Sequence, residues 1–197
     1  EFAGGEPLID PQHYQILDML APYGDNIEIK YATNGTKTGI GKKGNIFDYW
    51  PKFKSVSINL SIDGINEIYD YIRGNGNWLE VVENIEIFKT FPNLNRIVGL
   101  VAVQVTNITR MHNIIQCFLD DLEIVWWPNM VNYPMVLSAQ VLPNKLKEDT
   151  IKNLEKEKTR LKNYKLVKEI PSLENITQEQ IDNVINYLNG HDQSNKW

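Results

Sequence analysis

Strand-like and helix-like segments alternate along most of this chain, and this alternation constrains its fold more than any other feature. Residues 27–32 and 56–62 alternate apolar and polar side chains, as half-buried strands do. Asp10 followed by Pro11 is a typical helix start, and an apolar stripe predicts another helix over residues 78–91. This order of elements indicates a parallel α/β sheet or barrel.

The middle of the chain continues the pattern. Residues 97–105 are strongly apolar and predict a strand that is buried on both faces, and residues 111–119 predict a helix. Residues 124–127 predict a short strand that Pro128 closes. Residues 136–142 are a candidate for one more strand.

The last part of the chain has a different character. Residues 145–169 are dense in Lys and Glu and predict a solvated helix. Thr177 and Gln180 have the spacing of a capping box, which predicts the start of a last helix that ends near Leu188.

Composition excludes several classes of protein. The 197 residues are 42% hydrophobic and 23% charged, as is ordinary for one sizeable soluble domain. No apolar run approaches the ~20 residues of a membrane helix, and the net charge of −5 argues against a nucleic-acid partner. Cys117 is the single cysteine, which excludes an internal disulfide and any metal centre held by several cysteines of this chain. A cytoplasmic location fits best.

The Gly4-Gly5-Glu6 segment ends the first predicted strand, at the edge where parallel barrels gather their chemistry. The two glycines let the backbone approach a ligand closely, and Glu6 offers a carboxylate beside them. Such a site suits an ammonium group, which can donate hydrogen bonds to exposed carbonyls and to the carboxylate.

Two further strand ends carry small polar residues. Thr33 and Asn34 end the second predicted strand in a segment that is able to turn. Ser61 and Asp63 end the third strand and, being two residues apart, point to one face, where a hydroxyl and a carboxylate together suit a ribose diol. An ordinary strand-end turn would explain any one of these motifs, and Asp63 could simply bond the amides of its own turn.

Five aromatic and methionine residues flank the loop after the last clear strand: Trp126, Trp127, Met130, Tyr133 and Met135. They could line the mouth of a substrate site, because that end of a barrel opens to ligand. An apolar seam beneath the C-terminal helices would explain them equally well.

As a set, the strand-end motifs resemble the radical S-adenosylmethionine (SAM) superfamily. In chain order they read FAGGEPL, ATNGT and SIDG, at residues 2–8, 32–36 and 61–64. These three segments follow one another at the spacing of strand-helix units, and the order makes the resemblance specific.

A second set of residues narrows the resemblance. IYDYIRG at residues 68–74, followed by Trp78 and by VENI at residues 82–85, is similar to the segment after the fourth strand in members that carry SPASM or twitch extensions. VTN at residues 105–107 fits the end of the fifth strand in the same group. The resemblance covers about residues 1–143.

The resemblance implies a partial TIM barrel of the (β/α)6 type, whose first strand is followed by a CxxxCxxC loop that binds a 4Fe–4S cluster. That cluster chelates the amino and carboxylate groups of SAM, and reductive cleavage gives methionine and a 5′-deoxyadenosyl radical that abstracts hydrogen from a substrate. In this scheme the GGE-type motif holds the methionyl ammonium group, and Ser61 and Asp63 lie near the ribose. The SAM-binding residues that the resemblance implies are Gly4, Gly5, Glu6, Thr33, Asn34, Ser61, Asp63 and Asn107.

The CxxxCxxC motif is absent from this sequence. We therefore expect an N-terminally truncated fragment that begins at the second strand of the barrel and lacks the first strand-helix unit. The cluster ligands would lie upstream, and no metal ligand is assigned to this chain. Residues 1–143 would form the partial barrel and residues 144–197 a helical C-terminal extension, either twitch-like or plain.

Three hypotheses of function follow. The first is the C-terminal portion of a radical SAM enzyme, whose partners are SAM, an electron donor and an unknown peptide or small-molecule substrate. The second is a non-catalytic module that binds SAM or another nucleoside without a cluster. The third, ranked below them, is an unrelated α/β-barrel enzyme that uses Glu6 and Asp63 as paired carboxylates.

Overall fold

The protein is an α/β structure built on a parallel sheet, and the computed structural model describes residues 1–41, 44–74, 76–161 and 171–190. The strands are β1 (Glu28–Thr33), β2 (Ser55–Ser61), β3 (Leu94–Val103) and β4 (Val125–Met130). They lie in the order β1-β2-β3-β4, and every neighbouring pair is parallel. The predicted α/β class with parallel strands is confirmed, and closure into a partial TIM barrel stays a prediction.

Helices connect the strands and follow the last of them. They are α1 (Pro11–Leu20), α2 (Ile46–Tyr49), α3 (Asn66–Ile72), α4 (Trp78–Lys89), α5 (Met111–Gln116), α6 (Asn144–Leu161) and α7 (Pro171–Leu188). A π-helical turn, Cys117–Asp121, continues α5. Among the described helices, none joins sufficient length to an apolar stretch that could span a membrane.

The core forms because the strands carry apolar residues at every second position. In β2, the side chains of Val56, Ile58 and Leu60 are fully buried, as the alternation predicts. Helix α4 covers this layer with Val81 and Phe88, which are also fully buried. Each such side chain contributes about 1.5–3 kcal/mol relative to exposure in water, so these strands and α4 are the stable centre of the fold.

The beginning of the chain lies along the outer side of β1. The amide of Phe2 donates to the carbonyl of Lys30 (2.8 Å), and the amide of Ala32 donates to the carbonyl of Phe2 (2.9 Å). The ring of Phe2 stacks on Tyr31, with 5.3 Å between ring centroids. The predicted first strand is therefore present as a single parallel bridge, and it brings Gly4 to the carboxyl edge of the sheet.

Helix α1 begins where the sequence predicts. The Asp10 side chain accepts a hydrogen bond from the amide of Gln12 (2.8 Å), and Pro11 occupies the first helical position. The helix buries His13 against β1, where its Nε2 lies 2.9 Å from the hydroxyl of Tyr31. Burial lowers the pKa of His13 to about 4, so this histidine is a neutral core residue at pH 7.

Strand β3 differs from its prediction. Its side chains alternate between buried positions, such as Val101 and Val103, and partly exposed ones. Burial on both faces is therefore wrong. Pro128 does not close β4 but lies inside it, paired with Val101 in the register. The sheet order places β4 at an edge, and an edge strand tolerates a proline because its outer side needs no N–H donor.

Residues 136–142 do not form a strand. They belong to two 3-10 turns, Met135–Leu137 and Ala139–Val141. Ser138 separates the turns, and its hydroxyl lies 2.7 Å from the hydroxyl of Tyr187 in α7. This buried contact fixes a turn in a segment whose apolar composition alone favours an extended chain.

The two C-terminal helices also differ in part from the prediction. Helix α6 confirms the charged helix as far as residue 161, and residues 162–170 lie outside the described residues. Helix α7 begins at Pro171, so Thr177 and Gln180 are buried inside it and do not cap it. Proline at a first helical position is the start signal that the capping-box interpretation missed.

The described part of the extension packs on the α/β unit. The buried carboxylate of Glu157 in α6 accepts hydrogen bonds from Gln116 of α5 (2.8 Å) and from Nε of Arg160 (2.9 Å). In α7, the hydroxyl of Tyr187 donates to the carbonyl of Val131, just after β4 (2.8 Å). A domain boundary near residue 143 stays a prediction.

Candidate cofactor-binding site

Glu6 ties the N-terminal loop to the carboxyl end of β1. Its Oε1 accepts hydrogen bonds from the hydroxyl of Thr33 (2.6 Å) and the amide of Leu8 (3.2 Å). Its Oε2 accepts one from the amide of Asn34 (2.7 Å). A carboxylate has about four lone-pair sites, so three protein donors leave roughly one acceptor site for a ligand. We call Glu6, Thr33 and Asn34 the Glu6 cluster.

Gly4 and Gly5 lie directly beside the Glu6 cluster in left-handed backbone conformations. Their φ angles are +90° and +59°, which glycine adopts without steric cost. A Cβ atom added at either position would meet no heavy atom within 4 Å. The backbone at these two residues therefore faces open space, and a ligand could approach it closely.

The turn after β1 is held by its own side chains. Asn34 Oδ1 accepts hydrogen bonds from the amide (2.9 Å) and the hydroxyl (2.7 Å) of Thr36. Gly35 has a φ of +71°, and a Cβ there would lie 2.8 Å from the Leu60 side chain. The carbonyl of Gly35 accepts a hydrogen bond from Asn84 of α4 (2.8 Å). Asn34 thus shapes the turn, and its backbone amide is what contacts Glu6.

Asp63, two residues past the end of β2, is engaged by protein donors on both carboxylate oxygens. Oδ2 lies 2.7 Å from Nη2 of Arg73, and Oδ1 accepts a hydrogen bond from the amide of Ala102 in β3 (2.8 Å). The same Nη2 of Arg73 donates to the carbonyl of Ser61 (2.6 Å). The side chains of Asp63 and Arg73 are 14% and 29% exposed, so this pair is partly shielded from water.

Asn107 completes the arrangement from the turn after β3. Its Nδ2 donates to the carbonyls of Asp63 and Ala102 (both 2.7 Å), and its Oδ1 accepts from the amide of Gln104 (2.9 Å). The side chain is fully buried. Its amide therefore joins the ends of β2 and β3, with both donor hydrogens used. We call Asp63, Arg73 and Asn107 the Asp63 cluster.

The two clusters lie at the same edge of the sheet. Thr33 is in register with Leu60, so the chain segments that leave β1 and β2 emerge side by side. Strand-end reasoning brings Glu6, Thr33, Asn34 and Asp63 to this edge, and the family resemblance brings Asn107. The structure joins Glu6 with Thr33 and Asn34, and Asp63 with Asn107. It adds Arg73 and Ala102, which that reasoning missed. The missed signal is an arginine ten residues after Asp63, directly after the short helix α3, whose end returns to the same strand end.

Cys117 lies far along the chain from both clusters, in the π-helical turn after α5. Burial raises the pKa of its thiol to about 12, with a further contribution from Asp121. At neutral pH it is therefore a thiol and a poor metal ligand. Across the described residues, no group of three or more His, Cys, Asp or Glu side chains is placed to hold a metal ion.

The comparison with protein families agrees with this geometry. Residues 1–108 match the family model of the Radical SAM superfamily, which is more than half of the chain. The chain therefore belongs to this superfamily, whose members carry out SAM-dependent radical chemistry. No curated protein matches the chain. The predicted superfamily is confirmed, whereas the SPASM or twitch subtype and the missing first unit stay predictions.

Proposed function

We propose that this chain supplies the SAM-binding wall of a radical SAM enzyme, with Gly4, Gly5 and Glu6 around the methionyl ammonium group. The observation that supports this role is an open glycine backbone directly beside a carboxylate, at the carboxyl edge of parallel strands. In the complete enzyme, a 4Fe–4S cluster would supply the electron for the cleavage of SAM, and this chain would hold the aminoacyl end of SAM in place.

The Glu6 cluster fits an ammonium group chemically. The bonds from Thr33 and Asn34 hold the carboxylate in place before a ligand arrives, so little side-chain entropy is lost on binding. The remaining acceptor site can receive one charge-assisted hydrogen bond, which is stronger than a neutral one. Carbonyls of the open Gly4-Gly5 segment would accept the other ammonium protons.

The Asp63 cluster fits a ribose less directly. Arg73 and Ala102 use about two of the four lone-pair sites of Asp63, so two remain for ribose hydroxyls. We assign the hydroxyl of Ser61 to the same role, since Arg73 contacts the backbone carbonyl of this residue and not its hydroxyl. We assign Asn107 to positioning Asp63, since its buried amide is fully used by the backbone.

The residues present do not fit a 4Fe–4S cluster. One protonated, half-buried cysteine cannot supply the usual set of thiolates. We assign its ligands to sequence before Glu1, in line with a partial barrel that lacks its first unit. The complete protein would then be a cytoplasmic enzyme with an electron donor, and residues 144–197 its helical or twitch-like extension.

A second candidate is a module that binds SAM or another nucleoside without radical chemistry. The sequence immediately before Glu1 separates the two candidates: a CxxxCxxC run supports the enzyme, and a native start at Glu1 supports the module. The third hypothesis, an unrelated barrel enzyme with paired carboxylates, is wrong, because the chain belongs to the radical SAM superfamily.

Equilibrium dialysis with labelled SAM tests the proposed site. Glu6→Gln removes the charge and keeps the shape, and Glu83→Gln makes the same change at an exposed position on α4. We expect Glu6→Gln to weaken SAM binding by roughly 1.5–3 kcal/mol, the scale of a hydrogen bond to a charged group. Glu83→Gln should bind like the unchanged protein. Equal affinity in all three proteins would contradict the proposal.

A further inference from the structure

The stretch of residues 124–144 contains no Asp, Glu, Lys or Arg, in a chain that is 23% charged. Its first part forms β4, and its second part forms an exposed loop before α6. Five apolar side chains of that loop are exposed, and we call them the apolar lip: Tyr133 (90%), Met135 (73%), Val136 (71%), Leu137 (37%) and Val141 (47%). Exposure of so many neighbouring apolar residues indicates an interaction surface.

The loop that carries the apolar lip is anchored from beneath. The amide of Leu137 donates to the carbonyl of Pro134 (2.9 Å), and the amide of Ser138 donates to the carbonyl of Met135 (3.0 Å). The buried hydroxyl of Ser138 contacts Tyr187 of α7. The apolar side chains are thus held outward on an ordered base, and the more exposed ones, Met135 and Val136, forgo up to about 1.5–3 kcal/mol each by staying in water.

The base of the apolar lip reaches the candidate cofactor site through two hydrogen bonds. The amide of Val105 donates to the carbonyl of Leu137 (2.9 Å). In the same turn after β3, Asn107 donates to the carbonyl of Asp63 (2.7 Å). The apolar lip therefore flanks the carboxyl edge of the sheet, next to the Asp63 cluster.

We propose that the apolar lip is the docking surface for the substrate, and that the substrate is an uncharged, apolar polypeptide segment. This inference rests on the proposed function, since it is the neighbouring cofactor site that makes the docked partner a substrate. Uncharged apolar residues complement a surface without charge, and Tyr133 is of the type that anchors protein interfaces.

The shape of the apolar lip disfavours other occupants. A small molecule binds in a concave site that buries 70–90% of its surface, whereas Tyr133 projects with 90% of its surface exposed. An extended peptide needs no concave site, because it can lay its alternate side chains against a row of exposed apolar residues.

Fluorescence anisotropy with two labelled twelve-residue peptides tests the inference on the full chain. One peptide alternates Leu, Phe and Val with Ser and Gln, and the other carries Ser at every apolar position. The lip variant is Tyr133→Ser with Met135→Ser. The matched control is Tyr71→Ser with Met19→Ser, at positions that are 77% and 75% exposed elsewhere on the surface.

We expect the unchanged chain to bind the apolar peptide at least tenfold more tightly than the serine peptide. The lip variant should lose this preference, and the control should keep its affinity within twofold. A loss of equal size in the control, or no preference in the unchanged chain, would overturn the inference. The inference would also be overturned if sedimentation showed a dimer of the unchanged chain and of the control that is absent from the lip variant. A thermal melt checks folding, and Tyr133→Ser against Tyr71→Ser repeats the comparison if the double variant is unstable.

A SAM titration of the same proteins separates the two proposals. SAM binding in all of them without a peptide preference overturns the docking surface and supports the cofactor site. A lip-dependent peptide preference without any SAM binding supports the surface and overturns the proposed function. SAM binding together with a lip-dependent preference supports both.

Discussion

The Glu6 cluster and the Asp63 cluster occupy neighbouring strand ends but are built differently. Beside Glu6 the backbone is open, and the carboxylate keeps an acceptor site. Around Asp63 a guanidinium, an amide and a buried asparagine occupy the space and join two strands. Similar strand-end motifs can therefore differ in structure: the first leaves backbone and a carboxylate accessible to the ligand that we propose, and the second mainly holds the edge of the sheet together.

Replacing Asp63 should change the stability of the protein more than any other substitution proposed for these two clusters. Asp63→Ala leaves the Arg73 guanidinium without its carboxylate and the Ala102 amide without an acceptor. We expect the free energy of unfolding to fall by about 3 kcal/mol, because a partly buried guanidinium and a backbone amide both lose their acceptor. Urea unfolding measures it, with Asp25→Ala at an exposed position as control. A free energy of unfolding within about 0.5 kcal/mol of that of the control, the usual range for surface substitutions, would contradict a structural role of Asp63.

Burial of His13 between α1 and β1 predicts a pH effect on stability of similar size. His13 has a folded-state pKa of about 4 and an unfolded value near 6.5. The unfolded chain therefore takes up the proton first as the pH falls. Stability that is present above about pH 6.5 should decrease by about 2–3 kcal/mol on acidification to pH 4. Urea unfolding across this range should give a flatter profile for His13→Phe, and parallel profiles would contradict the role of His13.

The next prediction tests whether the open backbone at Gly5 is needed for SAM binding. Gly5→Ala and Gly74→Ala introduce the same strain, because their φ angles are +59° and +53° and neither new Cβ meets a neighbour. Both should lose about 1 kcal/mol of stability. Only Gly5→Ala should weaken SAM binding, by about tenfold, since its methyl group fills the space left for the ligand. Equal SAM affinity in the two variants would show that Gly5 is needed for its conformation alone.

The smallest effect concerns the orientation of Glu6. Thr33→Val removes the hydroxyl that donates to Glu6 and accepts from the amide of Gly35. We expect a loss of about 1 kcal/mol in stability and a reduction of a few-fold in SAM affinity. Thr33→Ser keeps the hydroxyl and should restore both in a melt and a titration. A valine variant that binds SAM normally would show that Glu6 does not depend on Thr33.

The sequence predicts much of this fold because local patterns determine it. The alternation in β2 and the Asp10 cap of α1 are readable from neighbouring residues alone. The turns around Ser138 are not, since a contact with Tyr187, 49 residues away, fixes them.

The candidate site is also predictable only in part. Because the carboxyl ends of parallel strands meet at one edge of a sheet, the sequence is enough to bring Glu6 and Asp63 to that edge. The Asp63 carboxylate is paired with Arg73 and with an amide of β3, and both contacts form only in the folded chain. The sequence therefore indicates where chemistry could occur but does not distinguish an open carboxylate from one that is already paired.

We propose that the Gly4-Gly5 backbone beside Glu6 receives the aminoacyl end of SAM. The most direct measurement is a series of two-dimensional ¹H–¹⁵N spectra of the labelled chain during a SAM titration. We predict that the amide signals of Gly4 and Gly5 shift together and saturate, while Gly24, which packs against the backbone of Lys52, stays unchanged. Saturable shifts elsewhere with both glycine signals unmoved would contradict the assignment of this site.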